Sequence, residues 1–266
     1  MSFSSDRFFI TRTAVPSGGG IVEIAPISIL RPYIRCFWMY GDCLGNQWFR
    51  IIPDCCADII IPLDGSPVFV GASDTSFISE YAGDVFGIRF YAWAVAPFLH
   101  IGMSETFNSV IPVDSILTDF SYLQNAVIGA KTTTRKVELA EKYFMRLFDG
   151  RLCSDVINSL CYAVSKSCNV TVGDIAEYCA LSKRTLERRF VDNIGITPKK
   201  MTDLLRYQLL WQDCIKPNFS AADSAFKLGY YDESHMYNSF RLYHGIGLTE
   251  ARAEYIKLSH FYNTNL

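Results

Sequence analysis

Residues 183–206 hold seven basic groups, Lys183, Arg184, Arg188, Arg189, Lys199, Lys200 and Arg206, against three acids, Glu187, Asp192 and Asp203. Basic side chains gathered in this way displace counterions from a phosphate backbone. Arg also matches the O6/N7 edge of guanine, and Glu accepts from the N4 amine of cytosine. The excess is local. The whole chain carries Lys+Arg 25 against Asp+Glu 27, a net charge of −2, so a nucleic-acid partner has to be met by one region. Residues 1–164 hold twelve basic and sixteen acidic groups, a balance of −4, whereas residues 165–266 hold thirteen and eleven, or +2.

Other chemistries have less to build on. The only histidine before residue 119 is His100, and a facial triad of two histidines and a carboxylate cannot be assembled from it. The chain contains no nucleophile elbow, P-loop or Rossmann fingerprint. An enzyme is therefore not expected, and no cofactor or metal is implied. Nine cysteines, at 36, 43, 55, 56, 153, 161, 168, 179 and 214, form no C-x-x-C pair. They read as reduced, buried small hydrophobes. A thiol-based metal or redox sensor built from Cys36, Cys43, Cys55 and Cys56 is the alternative.

Of the 266 residues, 50% are hydrophobic, 14% aromatic and 20% charged, which excludes a disordered, collagen-like or coiled-coil chain. The first twenty residues lack the apolar core of a signal peptide, and Tyr91 to Met103, which contains Pro97 and His100, is too short to span a bilayer. No membrane partner is expected, and the reading is cytoplasmic.

Two halves with different periods must position these groups. Phe49–Ile52, Ala57–Ile61, Pro67–Val70 and Gly87–Tyr91 read as strands, with Leu63-Asp64-Gly65-Ser66 as a hairpin turn. Pro53, Pro62 and Pro67 mark strand ends. The fold class is α+β in two domains: a β-rich barrel or sandwich of cupin-like kind over 1–118, a helical connector over 119–165, and an all-α domain over 166–266. The connector helices are read from Val137, Ala140, Tyr143, Phe144, Leu147 and Phe148, ended by Asp149-Gly150, and from Val156, Ile157, Leu160, Cys161 and Val164. They either complete the core or pack against a partner chain.

The all-α part repeats itself. Leu186, Phe190, Gly195 and Ile196 recur as Met236, Phe240, Gly245 and Ile246, each fifty residues on, and Ala176 maps to Ala225 with a one-residue slip. Each copy follows the grammar of a helix-turn-helix. Thr171 and Asp174 form a capping-box start, Ile175, Ala176 and Cys179 face inward, and Ala180-Leu181 make the turn. Ser182 caps a second helix from Lys183 to about Asp192, ended by Gly195. Thr197-Pro198 opens a long joining helix to about Cys214. The second copy runs Ala221–Leu228, turns at Gly229, continues from Glu233 to Tyr243, and is followed by a helix over Thr249–Leu258. Pointing away from the core in the first copy are Lys183, Arg184, Glu187, Arg188 and Asp192.

Ser182-Lys183-Arg184-Thr185-Leu186-Glu187-Arg188-Arg189-Phe190 followed by Ile194-Gly195-Ile196-Thr197-Pro198-Lys199-Lys200 closely resembles the first helix-turn-helix of AraC/XylS-type transcriptional regulators. Leu228-Gly229-Tyr230-Tyr231-Asp232-Glu233-Ser234-His235, with Phe240-Arg241 and Gly245, resembles the second. The likeness spans about residues 165–255. A looser one, to the sensor region of one subgroup, rests on Phe37-Trp38, Ile52-Pro53-Asp54 with Cys56, Gly87-Ile88-Arg89-Phe90 and Val110-Ile111-Pro112-Val113. Three positions depart from the pattern: Asn238 stands for Arg, Leu248 for Pro, and Cys55 for Gly.

The resemblance implies a regulator of transcription that binds double-stranded DNA, with its two recognition helices in successive major-groove segments about 34 Å apart. It implies that Arg184, Glu187 and Arg188 meet base edges while Lys183, Arg189 and Lys199 meet phosphates. In the second motif it implies Glu233, Ser234, His235 and Asn238, with Arg241 on the backbone. The β half would then sense a small apolar effector, with Tyr33, Phe37, Trp38, Tyr40, Trp48, Tyr91 and Trp93 as candidate pocket residues, or form a homodimer. A constitutive DNA-binding regulator whose first half only dimerises is the rival expectation.

Overall fold

In the computed structural model, residues 22–40, 47–81 and 83–263 are described. Cys43 and the side chain of Trp48 lie outside that description. Among the described residues, eight strands lie in the first half: β1 (Val22–Ile24), β2 (Ile34–Tyr40), β3 (Gln47–Ile51), β4 (Cys56–Pro62), β5 (Val68–Val70), β6 (Phe77–Tyr81), β7 (Val85–Tyr91) and β8 (Val110–Pro112). All neighbours are antiparallel. Six make one sheet in the order β1-β2-β7-β4-β5-β8, and β3 pairs with β6 in a separate ribbon. The hairpin at Leu63–Ser66 sets Ile60 opposite Val68, and Pro62 and Pro67 flank it as strand ends should.

One face of the large sheet carries the main core, where Phe37 stacks on Phe86 at 6.0 Å and Phe90 meets Phe144 edge-on at 5.2 Å. Phe144 comes from α3 (Thr133–Leu147), which follows α1 (Met103–Thr106) and α2 (Phe120–Gly129). Of the expected inward residues of α3, Val137, Ala140, Tyr143 and Phe144 are buried there, and Leu147 and Phe148 at its end are partly buried against the same core. Of those of α4 (Ser154–Ser165), Val156 and Leu160 are buried and Ile157 and Val164 partly so, but Cys161 is exposed and Ala163, one helical turn from Leu160, is buried instead. Both connector helices thus complete a core. The other face holds a smaller cluster of Cys36, Trp38, Tyr40 and Val85, backed by Ile51 and Ile60. Beside it the Trp38 indole N–H donates to Asp58 Oδ1 at 2.8 Å. Arg89 lies 3.0 Å from Asp58 and 3.4 Å from Asp54. Asp54 in turn accepts from the Cys56 N–H at 3.0 Å. Cys55, where the resembled pattern has Gly, sits at φ 57, a left-handed conformation that L side chains adopt at a cost of roughly 1–2 kcal/mol.

Six helices follow: α5 (Val172–Tyr178), α6 (Lys183–Ile194), α7 (Pro198–Cys214), α8 (Ala221–Lys227), α9 (Glu233–His244) and α10 (Leu248–Asn263). Their ends are set by local chemistry. Thr171 and Asp174 close a full capping box on α5. Ser182 caps α6 by accepting from Thr185 N–H at 3.1 Å, and Asp232 caps α9 by accepting from His235 N–H at 2.7 Å. Gly195 and Gly245 end those two helices at φ 87 and 81, left-handed C-caps that glycine enters without strain. The turn between the helices of each copy is left-handed too. Gly229 takes φ 71 in the second, and Ala180 takes φ 54 in the first.

Joining the copies, α7 is buried at Met201, Leu204, Leu205, Tyr207, Leu210, Trp211 and Cys214. Against it lies His244, the last residue of α9. Its Nδ1 is 2.8 Å from the Tyr207 hydroxyl, and its ring stacks on Phe240 at 4.6 Å and tilts against Trp211 at 4.7 Å. Burial, and then the Arg50 guanidinium, push its pKa down to about 4. The neutral ring is the form this core accommodates.

Two outcomes follow from these local energetics. Ala180→Gly relieves a left-handed alanine and is expected to stabilise the chain by about 0.5–1 kcal/mol once glycine's extra chain entropy is subtracted. Gly229→Ala should do the reverse and more, because its Cβ would lie 2.2 Å from Asn169 Oδ1. Thermal unfolding of both variants decides this; a destabilised Ala180→Gly would contradict the turn geometry. His244 supplies a pH test. The unfolded ring takes a proton near pH ~6.5 and the folded one only near 4. Unfolding therefore binds a proton between those values, and stability present above pH ~6.5 is lost on acidification, by about 3 kcal/mol in all. In urea titrations His244→Phe should flatten that slope. A wild-type slope in the variant would mean that other groups produce it.

Candidate DNA interface

Burying Leu186, Phe190 and Ile194 on one side of α6 turns its remaining side chains outward. Lys183, Arg184, Glu187, Arg188 and Arg189 are all exposed, as is Lys199 on the first turn of α7. On α9, burial of Met236, Phe240, Tyr243 and His244 does the same for Glu233, Ser234, His235, Asn238 and Arg241. The eleven residues expected to meet DNA thus lie on solvent-facing positions of the two second helices and the adjoining turn.

Their electrostatic settings differ. Arg189 Nε lies 3.5 Å from Asp155 Oδ2 on α4, and Lys199 Nζ lies 2.6 Å from Asp203 Oδ1 one turn along α7. Exposed pairs of this kind are worth roughly 0–1 kcal/mol and are screened by salt, so a phosphate can take the cation from its carboxylate at small cost. Among the described residues, Arg184, Arg188 and Arg241 have no salt-bridge partner at all. Their guanidinium forks are presented to water, in the form that suits bidentate recognition of guanine or phosphate. His235 stands at the start of α9, where its Nδ1 is 3.4 Å from the Tyr231 amide nitrogen and its ring meets Tyr230 edge-on at 5.4 Å.

Two exposed aromatics beside the second motif were not singled out by the sequence pattern. Tyr231, 92% exposed, lies in the turn just before α9, and Phe226, 87% exposed, lies on α8. Tyr230 next to it is buried, and a Tyr-Tyr pair carries no local signal of which ring turns outward. Lys200 is a third. It stands beside Lys199 but pairs with Asp74 of the β half at 2.5 Å.

The six described candidate effector residues do not share one wall, and the seventh, Trp48, lies outside the described side chains. Tyr33, Phe37, Tyr91 and Trp93 belong to the main core, and Trp38 and Tyr40 to the cluster on the opposite sheet face. The division follows from strand alternation along β2, which resumes after a register shift between Ile34 and Cys36. An open cleft of about 600 Å³ lies elsewhere, lined by His100 and Asp114 to Ser121. Cys36, Cys55 and Cys56 are buried, and burial raises all three thiols, that of Cys36 to about 12. Thiols held in the protonated form are poor metal ligands and nucleophiles.

Residues 175–254 match the family model of a helix-turn-helix domain, and residues 22–112 match a domain of unknown function, DUF6597. No curated protein matches the chain. Among solved structures, a transcriptional regulator with an AraC-type DNA-binding domain from Chromobacterium violaceum is 24% identical, over 38% of this chain and 92% of that one, with a TM-score of 0.35. ToxT from Vibrio cholerae is 9% identical over 90% of this chain and 99% of its own, with a TM-score of 0.42. CdpR from Pseudomonas aeruginosa is 18% identical over 65% and 46%, with a TM-score of 0.34. Among the described residues, no helix is long and apolar enough to cross a membrane. With two capped helix-turn-helix units joined by α7 and the domain match over both, residues 175–254 form a helix-turn-helix domain.

Proposed function

We propose that this chain is a DNA-binding transcriptional regulator of the AraC type and reads duplex DNA chiefly through α6, with Arg184, Glu187 and Arg188 at base edges and Lys183, Arg189 and Lys199 on phosphates. The observation that carries the reading is the pair of unengaged guanidinium groups, Arg184 and Arg188, on the exposed face of a helix whose opposite face is buried. In the second motif Glu233, Ser234, His235 and Asn238 face the groove and Arg241 the backbone. Asn238 offers a neutral, shorter amide where the resembled family presents Arg, so the second motif contributes less. No catalytic step enters this reading, and the cytoplasm is where such a protein would meet DNA.

Binding by the full chain should weaken steeply as salt rises, because phosphate contacts release counterions. Arg188→Ala should cost on the order of 1–3 kcal/mol and relax preference at one base pair. Asn238→Ala should cost less. Affinities of both variants for a selected site and its single-base variants test this. If Asn238→Ala is the more damaging and Arg188→Ala leaves specificity intact, the second motif is the principal reader.

The β half is proposed to control that binding through a small apolar effector. Support comes from the aromatic content of the half, now narrowed to the Trp38–Tyr40 face, since the other described candidates, Tyr33, Phe37, Tyr91 and Trp93, pack in the main core. A ligand held there should raise the melting temperature by stabilising only the folded state, and should change operator affinity with it. A panel of small apolar compounds that moves neither quantity favours the rival reading, a constitutive regulator whose β half makes a homodimer.

A further inference from the structure

Helix C-termini leave their last carbonyls without partners inside the helix. At α9 two of these are met from the β half. Ser76 Oγ donates to the His244 carbonyl at 2.7 Å, and Ser76 N–H donates to the Tyr243 carbonyl at 3.1 Å. The fit is close, since a Cβ on Gly245 would fall 2.4 Å from Ser76 Oγ. The end of α6 is treated alike. There α1 packs against the helix, and a Cβ on Gly195 would fall 2.1 Å from the Met103 carbonyl oxygen. The C-caps of both recognition helices therefore rest on the β half.

The two supports are one piece. Asn108, just beyond α1, exchanges two hydrogen bonds with Asp74: its Nδ2 donates to Asp74 Oδ1 at 2.8 Å, and Asp74 N–H donates to its Oδ1 at 3.0 Å. Asn108 N–H also donates to the Ala72 carbonyl at 2.9 Å. Segments 71–76 and 102–109 are thus tied side to side. Asp74 then takes Lys200 Nζ at 2.5 Å, and Lys200 lies over the Tyr243 ring at 5.3 Å. This contact joins the platform to the first turn of α7 as well as to α9.

Position decides what the contact does. The platform touches the C-terminal ends of α6 and α9, while base reading by such helices falls to their N-terminal parts. With the platform in place, Arg184, Glu187 and Arg188 on one helix, and Glu233, Ser234, His235 and Asn238 on the other, are all exposed. The docked arrangement leaves both reading faces open and adds a second bridge between helices otherwise joined through α7.

We propose that Asp74 and Ser76 are positioning residues for DNA recognition, through which the β half clamps the C-terminal ends of both recognition helices and fixes their spacing on a two-half-site operator. The inference rests on the DNA reading given above. The test uses the full chain, an operator selected from random duplex DNA, the same operator with one to three base pairs inserted between the half-sites, and a fragment holding only the α6 half-site. For Asp74→Asn/Ser76→Ala, affinity for the single half-site should stay within about twofold of wild type, affinity for the intact operator should fall about tenfold, and the penalty for altered spacing should flatten. Asp74→Glu/Ser76→Thr should recover the spacing penalty in part. A double variant with wild-type affinity and a wild-type spacing penalty would overturn the clamp. So would tighter operator binding by that variant, since the platform would then hold the helices away from DNA. Loss of binding to the single half-site would make the role a general fold defect and not one of positioning. Failure of the wild type to select any DNA would overturn the DNA reading and the clamp together.

Discussion

The groups proposed to read DNA are held, directly or at one remove, by the burial of α7. Its seventeen residues span about 25 Å at the usual helical rise. Apolar side chains point from it in several directions, so the helix is gripped on more than one side. Polar groups that enter the core with it are matched. Thr202 donates back to the Pro198 carbonyl, Gln208 donates to the Pro53 carbonyl of the β half, and Tyr207 meets His244. Rotating α7 would expose apolar surface and leave several of these groups unsatisfied, each at a cost of roughly 1–3 kcal/mol. The first motif joins its N-terminal end and the second packs beside its C-terminal half, so the separation of the recognition helices is largely fixed by one buried rod.

Charge is arranged on top of that frame and contributes little to it. The cations expected to meet phosphate, Arg189 and Lys199, are parked on carboxylates by weak exposed pairs, and those expected to meet bases are left in water. Stability rests instead on burial and on caps, whose loss costs about 1 kcal/mol each. The surface can therefore change partners without disturbing the fold. The buried Arg89–Asp58–Asp54 network in the sheet is the contrary case: its charges are hidden from solvent, and removing one partner would strand the others.

What was legible in the sequence was what local rules control. Ser182, Thr197 and Gly195, the capping box at Thr171 and Asp174, and the fifty-residue shift to Gly245 all mark helix ends, and the helices begin and end there. The strands that alternate or end at proline were also readable. β2 was not, because five of its seven residues are buried and no period survives; β1 and β8 have only three residues each. The aromatic residues are distributed over both faces of β2, since strand alternation sends Trp38 and Tyr40 to the opposite face from Phe37, and composition alone carries no mark of that. Cys55 shows the opposite case: its departure from glycine flagged a backbone position that does take φ 57. Asp74 and Ser76 meet partners more than a hundred residues away, and no local pattern could have named them.

The claim on which all of this turns is that one chain places two recognition helices in successive major-groove segments. Methylation interference at guanine N7 on a selected operator measures it most directly, since N7 lies in the major groove. The account requires two clusters of interference on one face of the duplex, about 10 base pairs apart, with the stronger at the half-site bound by α6. A single cluster, or two on opposite faces, would contradict it.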